Sequence, residues 1–242
     1  MPDLKKKIFL SASWNWLLIV NYEMPPDLLQ PYVPQGTELD SFDGKFYASL
    51  VGFWFSQARV LRLSIPFHTS FEEVNLRFYV KRVERNEVKR GVVFIKEIVP
   101  RWAIAKTARI LYNENYISCP MTHQLEINSK EKIVSYSWKE NKKLNKMKAI
   151  LSGKPFVPHQ NSFESFIAEH YWGYCNQKNG LTLEYQVEHI PWEVYHTEET
   201  EMNVNVGPVY GKKFEPYLLT KPHSSFVAVG SPITVSLGDK VS

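Results

Sequence analysis

The sequence predicts a mainly β (α+β) protein built on a mainly antiparallel sheet, with enough strands to close a barrel and two or three helices. Three observations carry this. Most segments place apolar residues at period 2. Strands and helices do not alternate in the regular βαβ order of a parallel sheet. Phe, Trp and Tyr make up 14% of the 242 residues, which suits strands and pockets rather than coiled coils. No repeat and no long Pro/Gly/Ser linker divides the chain, so residues 1–242 are expected to form one domain.

The first strand puts Trp14, Trp16, Leu18, Val20 and Tyr22 on one face. Met24-Pro25-Pro26 ends it, because proline removes a ladder donor. Asp27 then caps a short helical turn from Leu28 to Tyr32. Asp43-Gly44 marks a hairpin turn. Phe46 to Phe55 is apolar at both parities, so this strand is expected to be covered on both faces, with Phe53 and Trp54 buried. Gly52 within it predicts a bulge or a close backbone approach.

Val92 to Val99 reads as a strand, and Arg101 to Tyr112 as a helix. Thr122–Asn128 and Lys132–Trp138 form a hairpin around Asn128-Ser129-Lys130-Glu131. Asn161 and Glu164 have capping-box spacing. The helix that follows carries a stripe of Phe163, Phe166, Ile167, His170, Tyr171 and Tyr174. Leu181 to His189, Phe226 to Val229 and Ile233 to Leu237 supply further strands.

Lys and Arg number 29 against 25 Asp and Glu, a net charge of +4. The basic clusters Lys81-Arg82, Lys89-Arg90 and Lys139 to Lys148 read as solvated turns, and no nucleic-acid module accompanies them. Cys119 and Cys175 fit no metal spacing and no C-x-x-C motif, and read as free thiols in a reducing compartment. Ile8 to Val20 is too polar for a signal segment and too short for a span. A cytoplasmic protein without a membrane or nucleic-acid partner is expected. Metal-ligand spacings, phosphate loops and G-x-S-x-G are missing, so neither a metal nor a cofactor is expected.

The most informative stretch is FEEVNLRFYV, Phe71 to Val80. As a strand it sends Val74, Leu76, Phe78 and Val80 one way, and Glu73, Asn75, Arg77 and Tyr79 the other. The polar row is either a solvated sheet face or the wall of a pocket. In the pocket reading Arg77 binds a carboxylate, and Glu73 does acid–base work. Two further residues offer chemistry. Lys96, counted on the face of Val92 and Phe94, is either a desolvated amine or a strand-end lysine reaching out to water. His189, at the end of an apolar strand face, is either a core or pocket-rim histidine or a general base.

These residues resemble the F-x-E-x-N-x-R-x-Y-V core of the uncharacterised YqjF-like family. The blocks at residues 14–34, 39–53, 90–94, 108–112 and 189–192 resemble that family in the same order, so the likeness covers essentially the whole chain. The resemblance places the chain in the acetoacetate decarboxylase-like superfamily. It implies a closed or partly closed β-barrel-like sheet with a central cavity and flanking helices. Decarboxylases of that superfamily form a Schiff base on a lysine a few residues after an arginine. The comparable arginine here is Arg109, and the following segment reads Asn115-Tyr116-Ile117-Ser118, without lysine from 107 to 129.

The sequence thus predicts an interior pocket that binds a small anionic or carbonyl-bearing molecule through Glu73, Asn75, Arg77, Tyr79, Arg109 and Tyr116. Two alternatives stand beside it. One is a lyase-like enzyme using Glu73 or His189 as acid or base. The other is an interaction module without a ligand, for which a filled core would speak.

Overall fold

In the computed structural model of the chain, residues 7–85, 87–128 and 131–241 are described. The strands are β1 (Ile8–Met24), β2 (Glu38–Leu39), β3 (Phe46–Val60), β4 (Phe71–Glu84), β5 (Glu87–Val99), β6 (Tyr116–Ser118), β7 (Met121–Ile127), β8 (Lys132–Glu140), β9 (Lys143–Phe156), β10 (Trp172–Asn176), β11 (Thr182–Glu188), β12 (Val194–Asn203), β13 (Ser224–Ser236) and β14 (Asp239–Val241). The α-helices are α1 (Pro26–Leu29), α2 (Trp102–Leu111), α3 (Phe163–Ala168), α4 (Val206–Tyr210) and α5 (Glu215–Leu218). Among the described residues, all fourteen strands belong to one sheet.

Its order is β14-β11-β10-β5-β4-β3-β1-β13-β12-β9-β8-β7, with β2 added on β4 and β6 on β5. β11 also pairs with β13, so the sheet curls back and partly rings its own inner face. Most pairings are antiparallel, as expected. Two are parallel, β5 with β10 and β5 with β6. The second has α2 as its crossover, a βαβ unit that the absence of regular alternation in the sequence did not suggest.

The sheet has a core on each side. Outside, Leu18, Val20, Leu50, Val74, Leu76 and Phe78 pack with Tyr136, Trp138 and Met147 of the β8–β9 hairpin and with Val209 and Phe214. On the inner side, Leu17, Ile19, Val51, Phe53 and Val92 pack with Phe166, Tyr185 and Trp192. The β8–β9 hairpin presses on Gly52. A Cβ there would lie 2.8 Å from both the Tyr136 ring and the Met147 sulfur. The close approach predicted from Gly52 is present.

Bulges change the predicted faces. β1 shifts register between Asn15 and Leu18, and Trp16 takes a positive φ of 53°. Trp14 therefore joins the inner core while Leu18, Val20 and Tyr22 join the outer one. Trp54 is half-buried rather than buried, with its indole N–H on the Ser70 hydroxyl at 2.7 Å. α3 stops at Ala168, so His170 and Tyr171 are loop residues and Tyr174 lies on β10. Its N-cap is Ser162, one residue later than the Asn161 box predicted, and the Ser162 hydroxyl accepts from Ser165 N–H at 3.2 Å. Ser129 and Lys130 of the predicted turn lie outside the described residues.

Candidate functional site

The polar row of β4 is buried, as are its apolar neighbours. Glu73, Asn75, Arg77 and Tyr79 are all at most 7% exposed. Beside this row a cavity of about 290 Å³ opens on the inner side of the sheet. Glu73 and Arg77 line it together with Glu97, Glu114, Tyr116, His170, Tyr185 and His189. Trp14, Phe55, Phe94, Trp172, Val187 and Val235 are among its apolar walls. The β3 end and the 61–70 connection supply Val60, Ile65 and His68; α2 supplies Ala103, Ile104, Thr107 and Ala108.

Three buried carboxyl groups meet here. Asn75 donates to Glu73 Oε1 at 2.9 Å, and the Tyr116 hydroxyl donates to Glu73 Oε2 at 3.2 Å. The Tyr185 hydroxyl donates to Glu114 Oε1 at 3.1 Å. Glu97 Oε2 has no hydrogen-bond partner among the described residues. Burial pushes Glu73 up to about 7, against the pull of its Asn75 and Tyr116 hydrogen bonds and the Arg77 charge. Burial pushes Glu114 up to about 8, with Tyr185 opposing and the Glu73 charge adding to the rise. Glu97 lies well above the usual carboxylate range, through burial first and then the neighbouring Glu114 and Glu73 charges.

Arg77 is the counterweight. No carboxylate among the described residues comes within ion-pair distance of it. Its Nη2 donates to the Ile167 carbonyl at 3.4 Å, and its Nε has no partner. Glu73 and Arg77 do not pair. Two residues of extended chain on each side of Asn75 hold their Cα atoms roughly 13 Å apart. His170 is buried next to the Tyr79 ring, at 4.7 Å, with both ring nitrogens unpartnered by hydrogen bonds. Its Nε2 stands 3.6 Å from Asp40, which Arg90 holds at 2.6 Å. Burial lowers His170 to about 4, with the Asp40 contact opposing.

The other predicted residues fall in several places. Tyr116 lines the cavity as expected. Asn75 and Tyr79 stand behind the lining: Asn75 orients Glu73, and Tyr79 shares a hydrogen bond with Ser49. His189 is half-buried at the cavity, with Nδ1 2.9 Å from the Ile190 carbonyl and its ring stacked on Trp192 at 4.1 Å. Arg109 is exposed on α2, where its Nε donates to the Tyr116 carbonyl at 2.6 Å; it is not among the lining residues. Lys96 faces away. A bulge at Ile95 shifts the β4–β5 register, so Lys96 opposes Leu76 of the outer core and Glu97 opposes Asn75. Among the described residues no lysine lines the cavity.

Sequence reasoning missed Glu97, Glu114 and the cavity position of His170. The signal for Glu97 was the adjacent pair Lys96-Glu97 in an otherwise apolar strand: one of the two must face inward, and a bulge decides which. Glu114 sits in a short non-periodic link between α2 and β6, where no pattern marks it.

The partly ringed sheet and its inner cavity define an acetoacetate decarboxylase-like fold. Solved structures similar to the chain include acetoacetate decarboxylase from Legionella pneumophila (TM-score 0.66, 13% identity, 100% of this chain and 92% of that one). The enduracididine biosynthesis enzyme MppR complexed with pyruvate is similar at TM-score 0.67 and 10% identity, over 100% and 93% of the two chains. An acetoacetate decarboxylase-like enzyme from Sphingomonas wittichii RW1 matches at TM-score 0.63 and 10% identity, over 97% and 93%. Residues 11–232 match the model of DUF2071, an uncharacterized conserved protein family, and the chain belongs to that family. The uncharacterized protein YqjF of Bacillus subtilis is 26% identical over 199 residues, 81% of this chain and 78% of that protein. Among the described residues no helix is long and apolar enough to cross a membrane.

Proposed function

We propose that the chain binds a small carboxylate- or carbonyl-bearing molecule in the interior cavity. One observation carries this reading. Arg77 Nε, Glu97 Oε2 and the His170 ring nitrogens are buried without hydrogen-bond partners, and all three residues line the same cavity. Buried polar groups are nearly always satisfied, so these await a partner that enters the cavity. A ligand carboxylate suits Arg77, which lacks a protein carboxylate.

Three neighbouring carboxyl groups repel such an anion less than exposed carboxylates would, because burial raises the pKa of all three. Burial favours their neutral forms near pH 7, and a neutral carboxyl donates a hydrogen bond. A ligand carbonyl oxygen would accept from a protonated Glu73 or from Tyr116. The pyruvate named with one structural neighbour has this chemistry.

A second reading, an acid–base enzyme, is favoured by the carboxyl cluster itself. Groups that titrate near neutrality can give and take a proton at working pH. Glu73 is then the acid or base, and His189 stands at the cavity as an alternative. Imine chemistry is not part of either reading, because Lys96 faces the outer core and the lining holds no lysine among the described residues.

Two measurements test the proposal. Titration of the chain with pyruvate, acetoacetate and longer oxo acids should show saturable binding that Arg77→Leu abolishes. Borohydride treatment with acetoacetate should leave the protein mass unchanged. Absence of binding across that series would overturn the first part, and a stable lysine adduct the second.

A further inference from the structure

Two stretches of chain that wall the cavity have an unusual surface. One is the end of β3 with the connection to β4, residues 56–71. The other is α2 with its flanks, residues 100–113. Val60 and Ile65 from the first, and Ile104 and Ala108 from the second, wall the same cavity. A chain of contacts joins them. Leu61 N–H bonds the Phe9 carbonyl at 2.7 Å, and the Phe9 ring lies 5.3 Å from that of Tyr112.

These stretches carry the four most exposed large apolar side chains among the described residues. Phe67 is 86% exposed, and Leu63, Trp102 and Ile110 are each 70% exposed. Leu61 and Ile65 are exposed beside them. Large exposed apolar side chains gathered on two stretches that wall one cavity mark an interaction site. α2 is informative by itself. Its inner side gives Ile104 and Ala108 to the cavity, while Trp102, Lys106, Arg109 and Ile110 face out. Its outer side thus pairs two exposed apolar residues with two cations, Lys106 and Arg109.

Charge identifies the cover. Arg59, Arg62, Arg101, Lys106 and Arg109 are all exposed. Neither stretch contains an Asp or Glu. None of the five cations makes an ion pair among the described residues. A second copy packed face to face would set these cations against their own kind. An anionic bilayer surface matches both features: apolar side chains enter the boundary layer while Lys and Arg meet lipid phosphates.

We infer that the face formed by residues 56–71 and α2, beside the cavity, docks on an anionic membrane surface with Phe67, Leu63, Trp102 and Ile110 as the inserting side chains. This revises the sequence-based expectation of no membrane partner. It does not depend on what the cavity binds.

The test is co-sedimentation of the full chain with vesicles of phosphatidylcholine alone, and of phosphatidylcholine with about one-third phosphatidylglycerol. Binding is expected to the anionic vesicles, at least fivefold weaker to the neutral ones, and reduced by salt, since exposed charges are screened over a Debye length. Phe67→Asp with Trp102→Asp should remove it, with the far-UV spectrum and melting temperature retained. Arg59→Glu with Arg62→Glu tests the charge half on two exposed side chains, should the apolar pair fail to fold. Equal or no sedimentation with both vesicle types overturns the inference. So does a concentration-dependent dimer, seen by light scattering, that the Phe67 and Trp102 changes dissociate; the face would then belong to a second copy.

Discussion

The Tyr116 hydroxyl donates to Glu73 Oε2 at 3.2 Å, from a three-residue strand that α2 delivers back onto the edge of β5. The crossover thus brings a phenol from forty-three positions away onto the buried carboxyl of β4. This bond favours the charged form of Glu73 and opposes the rise that burial imposes. Tyr116→Phe should therefore raise the Glu73 midpoint above about 7, visible in carbon-detected carboxyl titration by NMR. It should cost about 1 kcal/mol of stability, the worth of one hydrogen bond. An unchanged Glu73 midpoint would mean that the phenol does not hold the carboxyl in solution.

Stability should fall as pH rises above about 6.5. Glu73 and Glu114 have folded midpoints of about 7 and 8, raised from 4.5. Between those limits the native state holds protons that the unfolded state has lost, so each unit of pH favours unfolding. Their contribution is complete below about 4.5 and is lost as pH passes 7 and then 8. His170 acts the other way. Its midpoint is lowered from 6.5 to about 4, so it makes stability rise with pH between those values. Above 6.5 only the carboxyl trend of these three remains. Melting temperatures from pH 6.5 to 8.5 should decline, and Glu73→Gln with Glu114→Gln should flatten the decline.

Arg77→Met should leave stability unchanged or raise it by up to about 3 kcal/mol. A buried charge without a carboxylate partner contributes less than a packed apolar chain of similar length. The same change should remove binding of an anionic ligand. Urea unfolding and ligand titration on one preparation would show the two effects. A loss beyond about 2 kcal/mol would make Arg77 a structural residue rather than a receptor.

Gly52→Ala should destabilise by about 1–3 kcal/mol, the usual cost of an added methyl group in a packed core. The new Cβ meets the Tyr136 ring and the Met147 sulfur at 2.8 Å, and both side chains must move. Denaturant unfolding measures the cost. A change below about 0.5 kcal/mol would mean that the β8–β9 hairpin gives way freely.

What was legible in the sequence was whatever keeps strict alternation. FEEVNLRFYV pairs with β3 over its first eight residues without a bulge, so its two rows were read correctly, and the apolar strand Phe46 to Phe55 was rightly read as covered on both faces. Each misread face sits past an inserted residue. The positive φ at Trp16 put Trp14 on the inner side, and the bulge at Ile95 exchanged Lys96 for Glu97. A period-2 reading cannot count a residue that the ladder skips. The helix stripe through His170 failed for another reason. Phe163 to Ala168 is helical, but the spacing carried on by coincidence into a loop and a strand. Glu114 and the α2 crossover depend on contacts far apart in sequence, which local pattern does not encode.

The β10–β11 hairpin is fastened to its neighbours unevenly. Toward β5 it has two residue pairs, Trp172 with Gly91 and Gly173 with Val92. Toward β13 it has two more, Val187 with Val235 and Glu188 with Thr234. Toward β14 it has three, Thr182 with Val241, Leu183 with Lys240 and Glu184 with Asp239, and within itself it has five. Seams of two or three residue pairs open at less cost than the long pairings of β1, β3 and β4. This hairpin carries Tyr185, which holds Glu114, and Trp172 and Val187, which wall the cavity. This side of the cavity is therefore expected to open locally before the rest of the sheet does. Backbone amides along the hairpin's short seams should exchange with solvent well before those of β1, β3 and β4, and a molecule filling the cavity should latch it shut.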